Sequence, residues 1–101
     1  ADEAAAQAEV MAVARAARAN FSELAARRTA GLENIHSLND KTRMFKDQLE
    51  ALMTVYESGE GSYADLLDAE LAILFLRAEL AEERSQVAAA TARMNALLVT
   101  P

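Results

Sequence analysis

Apolar residues recur along most of the chain at alternating steps of three and four. Val10, Ala17, Leu24, Gly31, Leu38, Phe45 and Leu52 fall every seven residues, and a companion row reads Ala14, Phe21, Arg28, Ile35, Thr42, Leu49 and Tyr56. A second stretch has Leu66, Ile73, Leu80, Val87 and Met94, with Ala69, Leu76, Glu83, Ala90 and Leu97 beside them. This spacing keeps one face of a helix against a partner and winds the pair in a left-handed sense. Arg28 breaks the first seam, and Gly31 and Thr42 soften it. The pattern predicts two helices, over about residues 3–57 and 63–98.

Between them lies Glu57-Ser58-Gly59-Glu60-Gly61-Ser62. A glycine here suits the positive φ that ends many helices. Ser62 has the position of an N-cap, with Asp65 three residues on, close to a capping box. Residues 58–62 are therefore the turn, and Gly31, alone inside a helical pattern, need not stop its helix. The fold class is all-α: one long antiparallel helical hairpin of coiled-coil type over residues 1–101. At 1.5 Å per residue the helices measure roughly 80 and 54 Å. Folding back at Gly59–Glu60 places Leu98 opposite about Phe21. Residues 1–20, with Val10, Met11 and Val13, then overhang.

The second helix has a further stripe: Leu67, Leu71, Leu74, Ala78, Ala81, Ala88 and Ala92. Two apolar stripes exceed what one partner helix covers. The expectation is that this helix touches helices on both flanks, as in a wall of helices.

Composition narrows the class. Of 101 residues, 52% are apolar but only 5% aromatic, with three Gly and one Pro. So few breakers leave no room for a sandwich or barrel of short strands. No Cys is present, so disulfides, zinc thiolates and a cysteine nucleophile are excluded. A net charge of −6 argues against a nucleic-acid partner. The longest apolar run, Leu71 to Leu76, is far short of the ~20 residues that span a bilayer as a helix. The chain opens at Ala1 with no Met and no signal-peptide pattern, and closes at Leu98-Val99-Thr100-Pro101; it reads as a piece of a longer protein or a mature fragment.

Charge is focused. Residues 47–76 contain Asp47, Glu50, Glu57, Glu60, Asp65, Asp68 and Glu70 and no Lys or Arg. That window contributes −7, and the rest of the chain +1. Asp65 suits the positive end of the second helix dipole; Glu57, at a helix C-terminus, does not. Two readings stay open, a solvated helix end and an acidic tip with a task.

Catalytic chemistry is sparse. His36, flanked by Ile35 and Ser37, has no Ser–carboxylate set around it and reads as an exposed or seam-edge helix residue. The four Met are scattered, with Met94 a seam gap-filler. Asp65 and Asp68 share a helix face, as paired acid–base carboxylates do, but no pocket is visible to tune them. Tyr56 and Tyr63 flank the turn and are expected to pack on each other's helix. No phosphate loop, HExxH or zinc spacing occurs, so neither an enzyme nor a cofactor is expected.

The segment Tyr56-Glu57-Ser58-Gly59-Glu60-Gly61-Ser62-Tyr63-Ala64-Asp65-Leu66-Leu67-Asp68-Ala69-Glu70 resembles a signature of the outer membrane efflux proteins, the TolC-like family. Its pattern there is Tyr-x-x-Gly-x-x-Ser-x-x-Asp-(Leu/Val)-Leu-Asp-Ala-(Gln/Glu). Ala92-Arg93-Met94-Asn95-Ala96-Leu97-Leu98 is similar to the close of that family's return helix, with Val99 where Gly is common. The specific likeness covers roughly residues 52–98.

The resemblance implies a hairpin of the periplasmic α-barrel of a trimeric Gram-negative outer membrane channel, its turn at the periplasmic entrance. The partners implied are two further copies, a periplasmic adaptor (membrane fusion) protein and an inner membrane pump; the cargo is a drug, a metal ion or a secreted protein. By position, Asp65 and Asp68 match the family's gate-lining aspartates. Gly59, Glu60, Gly61 and Ser62 match the tip that meets the adaptor. Some members carry a basic residue where Gly61 stands, so closed-state bonds there must differ. From the residues alone, an alternative remains: a structural or adaptor coiled-coil hairpin that joins proteins.

Overall fold

A computed structural model describes residues 2–99; the chain ends, Ala1 and Thr100-Pro101, lie outside the described residues. Two helices make up the fold, α1 (Asp2–Glu57) and α2 (Tyr63–Val99), and they lie antiparallel. Both begin or end within one residue of the expected bounds. The molecule is a rod of 86 × 16 × 15 Å. Its long dimension is that of α1, since 56 residues rise about 84 Å.

The heptad rows form the contact. On α2 every seam residue is buried or half-buried, with Leu66, Ala69, Ile73, Leu80 and Ala90 most enclosed. On α1 the buried residues are Leu24, Gly31, Leu38 and Thr42, with Phe21, Ile35, Phe45, Leu49 and Leu52 half-buried. Residues 2–20 are exposed throughout, Val10, Met11 and Val13 included. Phe21 and Leu98 line one shallow hollow, so the expected overhang is present.

The three irregular seam positions of α1 have physical explanations. Thr42 is buried but satisfied, its Oγ1 donating to the Leu38 carbonyl at 2.7 Å. At Gly31 the helices come close: a Cβ there would run into Val87 Cγ2. Arg28 is exposed at the edge of the seam, and its Nε donates to Thr91 Oγ1 at 3.1 Å. Thr91 in turn donates to the Val87 carbonyl at 2.9 Å. One helical turn nearer the bend, Asn34 Nδ2 reaches Glu83 Oε1 at 3.4 Å, which accounts for Glu83 in the companion row. The polar breaks of the two helices therefore face each other around the Gly31–Val87 contact.

The second stripe of α2 has no cover within the chain. Leu67, Leu71 and Leu74 are 40%, 50% and 57% exposed, and Ala78, Ala81, Ala88 and Ala92 are exposed too. At about 3.5 residues per turn this stripe lies roughly 150° around the helix from the seam. Among the described residues, no helix is long and apolar enough to cross a membrane.

Candidate functional site

The bend is built by capping bonds. Gly59 has φ 87°, the left-handed region that glycine enters without a Cβ penalty. Glu60 N–H donates to the Val55 carbonyl at 3.1 Å and Gly59 N–H to the Tyr56 carbonyl at 3.0 Å. This 6→1 and 5→2 pair is a Schellman motif, satisfying carbonyls that the end of α1 leaves open. Ser58 Oγ adds a bond to the Val55 carbonyl at 2.7 Å. On the far side, Asp65 N–H donates to Ser62 Oγ at 3.4 Å, so Ser62 is the N-cap of α2.

Gly61 answers a different need. A Cβ at that position would lie 2.8 Å from Tyr56 N and 3.0 Å from Tyr56 Cα. Residue 61 thus crosses directly over the last turn of α1, with backbone against backbone. Any side chain, a basic one included, has no room here without moving the chain.

Tyr56 and Tyr63 bracket the bend and meet ring to ring, with centroids 6.1 Å apart and planes tilted by 46°. That spacing is within the range of favourable aromatic pairs. Both rings are partly open to solvent, as are Met53, Val55 and Leu67 nearby.

All seven acids of residues 47–76 are exposed. The ion pairs of the described residues lie elsewhere, Arg27–Glu23 and Arg43–Asp40, with the His36 ring beside Asp40. Among the described residues the tip charges are therefore exposed and without a basic partner. His36 is a surface residue, its Nε2 3.5 Å from Asp40 Oδ2.

Asp65 and Asp68 share one side of α2. With Ala69 they line an open hollow of about 400 Å³, whose other wall is Phe45, Gln48 and Leu52 of α1. A larger groove, about 570 Å³, runs beside Gly31 in mid-hairpin, away from the aspartates. Among the described residues, no group of three or more His, Cys, Asp or Glu is placed to hold a metal ion. The structure thus brings Asp65 and Asp68 together at one face and puts Gly59, Glu60, Gly61 and Ser62 at the end of the rod. The α1 wall of the hollow had no signal in the sequence, because Phe45 and Leu52 read there as seam residues.

Comparison with protein-family models, curated proteins and solved structures finds no match for this chain. The functional reading rests on its own residues and geometry.

Proposed function

We propose that the hairpin is the periplasmic entrance piece of an outer membrane efflux duct, with its bend at the mouth and the bulk of the channel elsewhere in a longer trimeric protein. The observation that carries this reading is the bend itself. The segment Tyr56 to Glu70, whose residues resemble the efflux-protein signature, closes into a tight reversal with seven unpaired acids and no base around it.

The mechanism follows from charge and shape. Three copies about one axis bring three Asp65 and three Asp68 carboxylates into a ring. Such a ring concentrates cations and repels itself, so a closed mouth must hydrate or pair those charges. Splaying of the helices relieves the repulsion and opens the way. The exposed bend, Gly59 to Ser62, is the surface offered to a periplasmic adaptor, which couples to an inner membrane pump. The cargo proposed for such a duct is a drug or a heavy-metal cation. The duct is a passive conduit; the hairpin has no enzymatic role.

Conductance of the intact parent in planar bilayers tests this. Replacing both Asp65 and Asp68 by Ala removes the repulsion that favours splaying, and is expected to lower open probability and weaken cation preference. Unchanged gating and selectivity would end the assignment of the gate.

A second reading, a coiled-coil hairpin that joins proteins, is favoured by the uncovered stripe on α2. A parent of roughly 400–500 residues with a second related hairpin, a signal peptide and alternating strands supports the duct. A short cytosolic parent supports the joining protein.

A further inference from the structure

The outward stripe of α2 has a symmetry that its composition alone does not reveal. Counting Ser85 with the apolar positions, the steps from Leu67 to Ala92 alternate four, three, four, three, four, three, four. The same steps are read in either direction. Size is complementary under that reversal: Leu67 falls opposite Ala92, Leu71 opposite Ala88, Leu74 opposite Ser85, and Ala78 opposite Ala81. All eight are exposed in the hairpin.

We infer that this face takes a second copy of the same chain, α2 against antiparallel α2, about a two-fold axis between Ala78 and Ala81. Each large side chain then enters the space left by a small one, the condition for a self-complementary two-fold interface. A parallel pair would set Leu on Leu near the bend and Ala on Ala beyond it, forcing the helices to diverge.

Charge selects the same orientation. The antiparallel pair carries the two base-free acidic bends to opposite ends, roughly 55 Å apart at ~1.5 Å per residue. That is several times the Debye length of about 8 Å at physiological salt. Each acidic end then lies along residues 89–99 of the other copy, which hold Arg93 and no acid. One kind of contact, made twice by the two-fold axis, opposes the pair: Arg77 of each copy shares a flank with Arg84 of the other. The inference does not rest on the duct reading, in which all bends point one way; it concerns the hairpin when no duct neighbour covers α2.

Sedimentation and distance measurement on the 101-residue chain test it. With no native Cys, Glu60→Cys accepts a spin label at the bend. The expected results are a dimer, labels roughly 55 Å apart from the ~1.5 Å rise, and association weakened at least tenfold by Leu71→Glu. Because Leu71 is half exposed, that variant keeps its helicity, which circular dichroism checks. Arg84→Glu replaces both repulsive contacts and is expected to tighten the dimer several-fold. A monomer at all concentrations, labels close together, or a dimer indifferent to Leu71→Glu overturns the inference. Close labels would also signal bends held side by side, whereas the duct reading stands or falls on the separate conductance result.

Discussion

At Gly59 the constraint is torsional: φ is 87° and nothing lies within 4 Å of an added Cβ. At Gly61 it is spatial, because the added atom meets the Tyr56 backbone. The two glycines should therefore respond differently to substitution. Gly59→Ala is expected to cost about 1 kcal/mol, the usual penalty for a left-handed residue, and Gly59→Asn less. Gly61→Ala is expected to cost about 1–3 kcal/mol, with no relief from Asn, since backbone must yield. Chemical denaturation of the four variants separates the two causes. Gly31 offers a sharper test. Ala is favoured over Gly inside a helix by about 1 kcal/mol. In the native hairpin Gly31→Ala should nonetheless destabilise, because Val87 is a stiff β-branched side chain and fills that space. In a Val87→Ala background the same change should stabilise by about 1 kcal/mol, a reversal of sign that a double-mutant cycle reads directly.

Among elements, α2 carries two apolar faces and uses one. Adjacent residues on it differ accordingly: Ile73 is 5% exposed and Leu74 is 57%. Ile73→Ala should cost about 2–3 kcal/mol, and Leu74→Ala within about 0.5 kcal/mol at concentrations where the chain is monomeric. Comparable losses from both would mean that the seam assignment is wrong. The seam and its outward counterpart were both legible as sevenfold rows, since coiled-coil packing imposes that period on sequence. The Leu66 row was expected to face α1, and it does. Arg28 and Glu83 were blemishes in separate rows until the register placed Thr91 and Asn34 opposite them. Contacts between residues more than forty positions apart leave no mark on a local pattern. The hollow beside Asp65 and Asp68 spans a shorter separation, but its far wall comes from α1 across the bend, so no single helical row shows it.

For the molecule as a whole, the unequal helices matter most. A two-helix core is thin, and no large side chain among the described residues is fully buried. Stability is thus confined to the paired length, roughly from Phe21 onward, while residues 2–20 gain nothing from α2. An unsupported helical segment of this length is marginal in water. Hydrogen exchange should show the amides of residues 2–20 exchanging orders of magnitude faster than those around Leu66 to Leu80. Deleting residues 2–16 should leave the unfolding midpoint in denaturant unchanged to within experimental scatter. A clear loss would show that the overhang is packed against something, such as another copy.

The two helices, the bend at 58–62 and the acidic end could all be read from the order of residues, because helix period, capping chemistry and charge are local properties. Proximity was not local. The filling of Gly31 by Val87, the crossing of Gly61 over Tyr56, the hollow shared by Asp65 and Phe45, and the exposure of the outer α2 stripe all depend on how two distant stretches lie in register. That register comes from the sum of many weak contacts along the seam, each carried half by one helix and half by the other.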